Sequence, residues 1–194
     1  MKKYFGLFAT LAVTMGILSG CGTSNETPAP ETTGDTAERT TFTVGFDAEY
    51  PPYGYKNDAG EYVGFDLDLA QEVCDRNGWE LKKQPLDWTS KDMELNSGTV
   101  DCLWNGFTMT GRESEYTFSK PYVDNSIVFV VRADADIQEK ADLAGKTVIT
   151  QAGSSALAAL TNEEDNEENL ALAASFAALE QTPDYNTAFM NLEA

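Results

Sequence analysis

The sequence predicts layered α/β architecture with a largely parallel sheet, on three observations. Short runs rich in β-branched and aromatic residues alternate with segments of helical apolar spacing. Turn residues such as Pro51-Pro52, Asn57-Asp58-Ala59-Gly60 and Asn77-Gly78 separate them. The chain of 194 residues, 42% hydrophobic and 23% charged, is long enough to bury a real core.

Thr41 to Phe46 alternates around Phe42, Val44 and Phe46 and predicts a strand, which Pro51-Pro52 breaks off. Tyr53 to Lys56, the Asn57-Gly60 turn and Glu61 to Val63 predict a hairpin. Gly64-Phe65-Asp66 opens a helix. Asp66 is its expected N-cap, Asp68 favours the positive helix start, and Leu69, Ala70, Val73 and Cys74 form an apolar stripe up to the Asn77-Gly78 stop. Glu80 to Leu86 predicts a strand, Asp92 to Asn96 a short helix ending at Gly98, Val100 to Trp104 a strand, and Gly111 to Glu115 a helical turn. Ile127 to Val131 is a continuous β-branched and aromatic run, which predicts a buried strand. Leu143 to Lys146 leads into a strand over Thr147 to Thr150, and Gly153-Ser154-Ser155 opens a helix to Leu160. Asn162 to Asn169 reads as a solvated acidic loop, without the alternation and fixed glycine of a calcium loop. Asp184 to Ala194 predicts a helix start with Tyr185, Ala188, Phe189 and Leu192 on one face.

Charge excludes several classes of function. Thirteen Lys+Arg against 32 Asp+Glu give −19 and a pI near 4.1, the wrong sign for a nucleic-acid partner. There is no histidine, which removes His-dependent triads, His-ligated zinc and His-ligated haem. Neither GxxxxGK(S/T) nor SxxK occurs. No cofactor and no metal is expected.

The first twenty residues read as an export address. Met1-Lys2-Lys3 is a basic start, Tyr4 to Leu18 is nearly all apolar or small, and small residues precede Cys21. Leu18-Ser19-Gly20-Cys21 resembles the lipobox of bacterial lipoproteins, which implies a signal peptide over 1–20 and a lipid on Cys21. Residues 21–40, rich in Thr, Pro, Glu and Gly, read as a flexible tether.

Seven segments in order carry a resemblance. They are Val44-Gly45-Phe46-Asp47 with Tyr50-Pro51-Pro52-Tyr53, Gly64-Phe65-Asp66-Leu67-Asp68-Leu69, Leu95-Asn96-Ser97-Gly98-Thr99-Val100-Asp101, Thr108-Met109-Thr110-Gly111-Arg112, Phe118-Ser119-Lys120-Pro121-Tyr122, Asp142-Leu143-Ala144-Gly145-Lys146 and Gln151-Ala152-Gly153-Ser154-Ser155. Over Thr41 to Ala194 the chain resembles the amino-acid-binding branch of the extracytoplasmic solute-binding proteins that serve ABC importers.

The resemblance implies a periplasmic-binding-protein-like fold of two α/β lobes and a hinge. The first lobe would span 41–123 and the second 124–194, with a first hinge strand near Tyr122 to Ser126. Two departures from the family pattern stand out. Arg112 lies one residue nearer its preceding threonine than usual. The chain also ends at Ala194, where the family continues with a turn and a strand ending in Asp. The resemblance therefore implies a truncated member with an incomplete second lobe, leaving Val128, Val130, Val148 and the faces near Phe176 and Phe189 partly uncovered.

By the same resemblance Arg112 is the fork for an amino acid's carboxylate, aided by Thr108, Asn105-Gly106 and Ser155. The residues alone leave a surface ion pair with Glu113 or Glu115 open for Arg112. Tyr50 and Trp88 match aromatic walls, with core packing the alternative for Trp88. Asp47 and Gln151 match positions facing the ligand's side chain, where a carboxylate favours a donor-bearing group. Trp104 and Phe107 either wall the cleft or fill the core. Cys74 and Cys102 either form a disulfide, as export permits, or stay as two thiols. The expected function is a monomeric, lipid-anchored binding protein on the extracytoplasmic face of the cell membrane. It would capture an amino acid and deliver it to ABC importer permease subunits. The alternatives are a dehydratase-like enzyme on the same scaffold or a ligand-sensing domain.

Overall fold

The structure, a computed structural model, describes residues 40–162 and 167–194. The expected signal segment, Cys21 and nearly all of the tether lie outside the described residues. In chain order the elements are β1 (Thr41–Phe46), β2 (Glu49–Tyr50), β3 (Gly54–Lys56), β4 (Tyr62–Val63), α1 (Phe65–Asn77), β5 (Glu80–Pro85), α2 (Lys91–Asn96), β6 (Cys102–Leu103), β7 (Thr147–Gln151), α3 (Ser155–Thr161), α4 (Glu167–Ala174), β8 (Ala178–Thr182) and α5 (Tyr185–Glu193).

In the first lobe β1 is the central strand of a parallel sheet ordered β5-β1-β6. Thr41 faces Glu80 and Phe46 faces Pro85 on one side, and Val44 faces Cys102 on the other. Val44 and Phe46 are fully buried, and so are Leu67, Ala70 and Cys74 of α1. That spacing makes a narrow helical stripe. It runs through Leu67 rather than Leu69 and Val73, which are only half-buried. The strands β2, β3 and β4 form a small antiparallel sheet. In the second lobe β7 and β8 pair in parallel, from Thr147 opposite Ala178 to Gln151 opposite Thr182. α5 packs on both strands and reaches across to β2.

The structure corrects several expectations. Gly64, not Asp66, is the N-cap of α1, at φ 138°. A Cβ there would lie 2.2 Å from the Tyr53 carbonyl oxygen, so only glycine fits. Asp66 falls one residue inside the helix and is buried. Residues 122–126 and Ile127–Val131 form no strand, and Val128 and Val130 are 71% and 55% exposed. β-branched residues supply strand propensity, but a strand also needs a neighbour to receive its backbone hydrogen bonds. Among the described residues this run has none. Phe189 is also exposed, and Val148 and Phe176 are half-buried. The acidic run does not remain a loop throughout, because Glu167 and Glu168 form the first turn of α4, where acids complement the helix dipole. Of the two alternatives for Cys74 and Cys102, the structure has them as two thiols. α1 packs on β5, β3 and β4, whereas Cys102 sits on β6 at the sheet's other edge. Among the described residues no helix is long and apolar enough to cross a membrane.

Candidate functional site

A cleft of about 290 Å3 lies beyond the carboxyl ends of β1, β6 and β7, where ligands gather in parallel α/β sheets. Both lobes line it. Tyr50, Trp88, Asn105, Gly106, Thr108 and Arg112 come from the first, and Gln151 and Ser155 from the second. Phe107, Ser154 and Tyr185 complete the lining. Asp47 does not line the cleft itself but reaches it through Gln151.

Arg112 is held by two contacts. Its guanidinium carbon stands 4.8 Å from the centre of the Phe107 ring, and Nη2 donates to the Gly153 carbonyl at 3.4 Å. Among the described residues it makes no ion pair, so the surface pair with Glu113 or Glu115 is not formed. Phe107 in turn meets Trp88 edge-on at 5.4 Å. Phe107 thus both walls the cleft and packs, and Trp88, buried and cleft-lining, does the same. The Trp104 side chain is not among the cleft's lining.

The hydroxyls of Thr108 and Ser155 lie 2.9 Å apart, one from each lobe. Asn125 donates to Thr108 Oγ1 at 2.7 Å and to the Gly106 carbonyl at 3.0 Å. At Gly106 a Cβ would stand 2.9 Å from the Tyr50 ring, so glycine lets the aromatic wall close. Tyr50 stacks on Tyr53 at 5.7 Å and tilts against Tyr185 at 5.9 Å.

Gln151 Nε2 donates to Asp47 Oδ2 at 2.6 Å and to the Pro183 carbonyl at 3.1 Å. The Glu49 amide donates to Asp47 Oδ1 at 2.9 Å. Burial pushes the Asp47 carboxyl above its ordinary pKa. The two donors pull it down, and the nearby Asp184 and Glu49 push it up. Asn186 donates to Glu49 Oε2 at 2.8 Å, a further bond between the lobes.

Sequence reasoning missed Ser154 and Tyr185 in the lining, and it missed the burial of Lys91, which lies outside the lining. Lys91 is buried, with Nζ 5.5 Å from the centre of the Trp88 ring and 3.6 Å from Asp92 Oδ2. A lysine opening a short helix reads as solvated, so no local pattern marks it. Tyr185 carried a signal, because it follows the N-cap Asp184, whose side chain accepts from the Thr187 amide. Among the described residues no group of three or more Cys, Asp or Glu is disposed to hold a metal. The cleft thus offers one fixed cation, several hydroxyl and amide groups, and aromatic walls. Such a lining suits a small carboxylate with an apolar body.

Residues 42–189 match the model of the bacterial extracellular solute-binding proteins, family 3. The chain is 34% identical over 155 residues to the arginine-binding extracellular protein ArtP of Bacillus subtilis (strain 168), covering 79% of this chain and 57% of that one. It is 30% identical over 154 residues to the L-cystine-binding protein TcyA of the same organism, covering 75% and 57%. An ABC uptake transporter substrate-binding protein from Streptococcus pneumoniae, solved with bound histidine, superposes with a TM-score of 0.72. It is 35% identical, covering 79% of this chain and 61% of that one. The chain thus spans under two thirds of the length of these relatives, all of which are binding proteins.

Proposed function

The chain belongs to the bacterial extracellular solute-binding proteins of family 3, and on that premise we propose that it captures a free amino acid between its lobes and delivers it to an ABC importer. The observation that carries this reading is the placement of Arg112, Thr108 and Ser155 from both lobes around one cleft. Arg112 receives the carboxylate in a planar fork, and the two hydroxyls turn from each other to the ligand. Tyr50, Trp88 and Tyr185 enclose its aliphatic part. Asp47, buried and oriented by Gln151, selects for a side chain that donates hydrogen bonds, a cationic one above all. The arginine and histidine of the relatives are side chains of that kind.

In this reading Cys21 is the lipidated mature N-terminus. A monomer then works from a tether on the extracytoplasmic face of the membrane, its lobes meeting near 123–124. Mass spectrometry of the native membrane fraction reads the Cys21 modification. Thermal shift and calorimetry against the twenty amino acids, with a turnover assay on any hit, test the rest. Specific binding without turnover supports the proposal. Turnover of a bound compound would favour an enzyme on the same scaffold, and an absence of binding by every amino acid would reject the ligand class.

A further inference from the structure

Behind the cleft lies a buried polar group that no ligand-facing role explains. Asp66 on α1 has 0% exposure, and its Oδ2 has no hydrogen-bond partner. Its Oδ1 accepts the Tyr122 hydroxyl at 2.7 Å. The same phenol lies 3.3 Å from the Asn105 carbonyl, which also accepts the Phe107 amide. Tyr122 therefore sits between the core helix of the first lobe and the backbone that carries Asn105, Gly106 and Thr108 into the cleft. Three residues on, Asn125 donates to the Gly106 carbonyl and to Thr108 Oγ1. The start of the segment running from the first lobe to the second is thus fastened to α1 and to one wall of the cleft.

We propose that Tyr122 and Asp66 are positioning residues for the candidate site. Neither lines the cleft. The phenol sets the distance between the connecting segment and the Asn105–Thr108 wall, and the buried carboxylate sets the phenol. The importance for ligand affinity rests on the amino-acid-binding reading above, but the coupling between the two residues does not.

The physical chemistry supports an active pin rather than incidental packing. A buried carboxylate is retained at a cost unless it is paired, and this one has a single donor. Burial raises its pKa to about 6, and the Tyr122 hydrogen bond opposes that rise. The Tyr122 phenol is pushed far up by burial and by the acceptor in front of it. The titratable groups facing Asp66 are Tyr122 from the connecting segment and Tyr50 from β2, and Tyr53 from the turn after β2 faces Tyr122 in turn. Among the described residues no cationic side chain faces it. The indole N–H of Trp104 lies against the Tyr122 oxygen without a hydrogen bond of good geometry. Asp66 is therefore stabilised as an anion by one hydroxyl, and removing that hydroxyl has a readable electrical consequence.

The experiment compares the 194-residue chain with Tyr122→Phe in three measurements. Carbon-13 NMR titration of the Asp66 carboxyl is expected to give a midpoint well above that of an ordinary aspartate, and a higher one still in the variant. Amide exchange at Gly106, Phe107 and Thr108 is expected to quicken by about tenfold in the variant while β1 and α1 keep their protection. Calorimetry with L-arginine is expected to show roughly tenfold weaker binding. Asp66→Asn, which keeps an acceptor for the phenol, is expected to hold the exchange of residues 106–108 near the original. An unchanged Asp66 midpoint in Tyr122→Phe overturns the proposal, and so does exchange that quickens equally throughout the lobe. If the original chain binds no L-arginine, that counts against the choice of ligand above. The midpoint and the exchange pattern then decide the pin alone.

Discussion

Gln151 and Asp47 stand 104 positions apart in sequence, and the Gln151 side chain donates to the buried Asp47 carboxylate at 2.6 Å. One lies at the end of β7 and the other just past the end of β1, so the contact measures how the two lobes meet. It also ties the amide that lines the cleft to a buried carboxylate behind it.

Asp47→Asn should therefore weaken cationic amino acids selectively. A hydrogen bond to a charged group is worth roughly 1.5–3 kcal/mol, or about one to two decades of affinity. Calorimetry with L-arginine and L-glutamine on both forms checks it. An equal loss for both ligands would show that Asp47 has no part in selectivity.

Arg112→Ala should abolish binding of any amino acid that the original chain holds, because a carboxylate left without its partner loses about 3–5 kcal/mol. Far-ultraviolet circular dichroism should stay unchanged, since Arg112 supports no strand pairing. An unaltered dissociation constant would remove Arg112 from the site.

Asp66 should leave a mark on stability against pH. Its carboxyl is held at about 6 by burial, against an ordinary 3.8. The folded chain thus keeps a proton that the unfolded chain releases between these values. The stability from this group is complete below about pH 4 and is lost as the pH rises through about 6. The shift of about two units corresponds to roughly 3 kcal/mol. Urea unfolding should show the original chain losing that much relative to Asp66→Asn between pH 4 and 7.5. A difference between the two that is flat with pH would contradict the raised pKa of the buried Asp66.

Gly64→Ala should destabilise the first lobe by at least about 2 kcal/mol, because the new Cβ would collide with the Tyr53 carbonyl at a φ that side chains rarely adopt. Denaturant midpoints measure it, and an unchanged midpoint would mean that the chain relaxes around the clash.

Cys74 should resist thiol reagents in the folded chain. Its side chain is fully buried, and burial raises the pKa of the thiol. Labelling followed by intact-mass measurement should leave Cys74 unmodified until denaturant is added. A mass lighter by two hydrogen atoms under non-reducing conditions would indicate the Cys74–Cys102 bridge instead.

Much of the first lobe was legible because its signals are local. β1 declares itself by alternation, α1 ends where Gly78 supplies a left-handed cap, and the hairpin needs only its turn. The cleft lining was largely legible too, since eight of the nine expected ligand residues surround it. Most of those expectations came from ordered motifs rather than from periodicity. What stayed hidden depends on partners. Ile127–Val131 has the composition of a strand and no neighbour, α4 opens inside an acidic run, and β8 carries Glu180 and Gln181 in a strand with few apolar residues. The burial of Asp66 was hidden because an aspartate two residues past a glycine reads as a cap. Its true partner, Tyr122, lies 56 positions away.

The order of the first sheet bears on how this chain matures during export. β1 leads the described chain, yet its neighbours are β5 and β6, so one of its edges waits for Pro85 and the other for Leu103. From then on the three strands described for that sheet are present and can pair. The cleft must wait for Gln151, Ser155 and finally Tyr185. On the reading proposed above, a chain halted midway would already hold the first sheet while part of the cleft lining had still to follow.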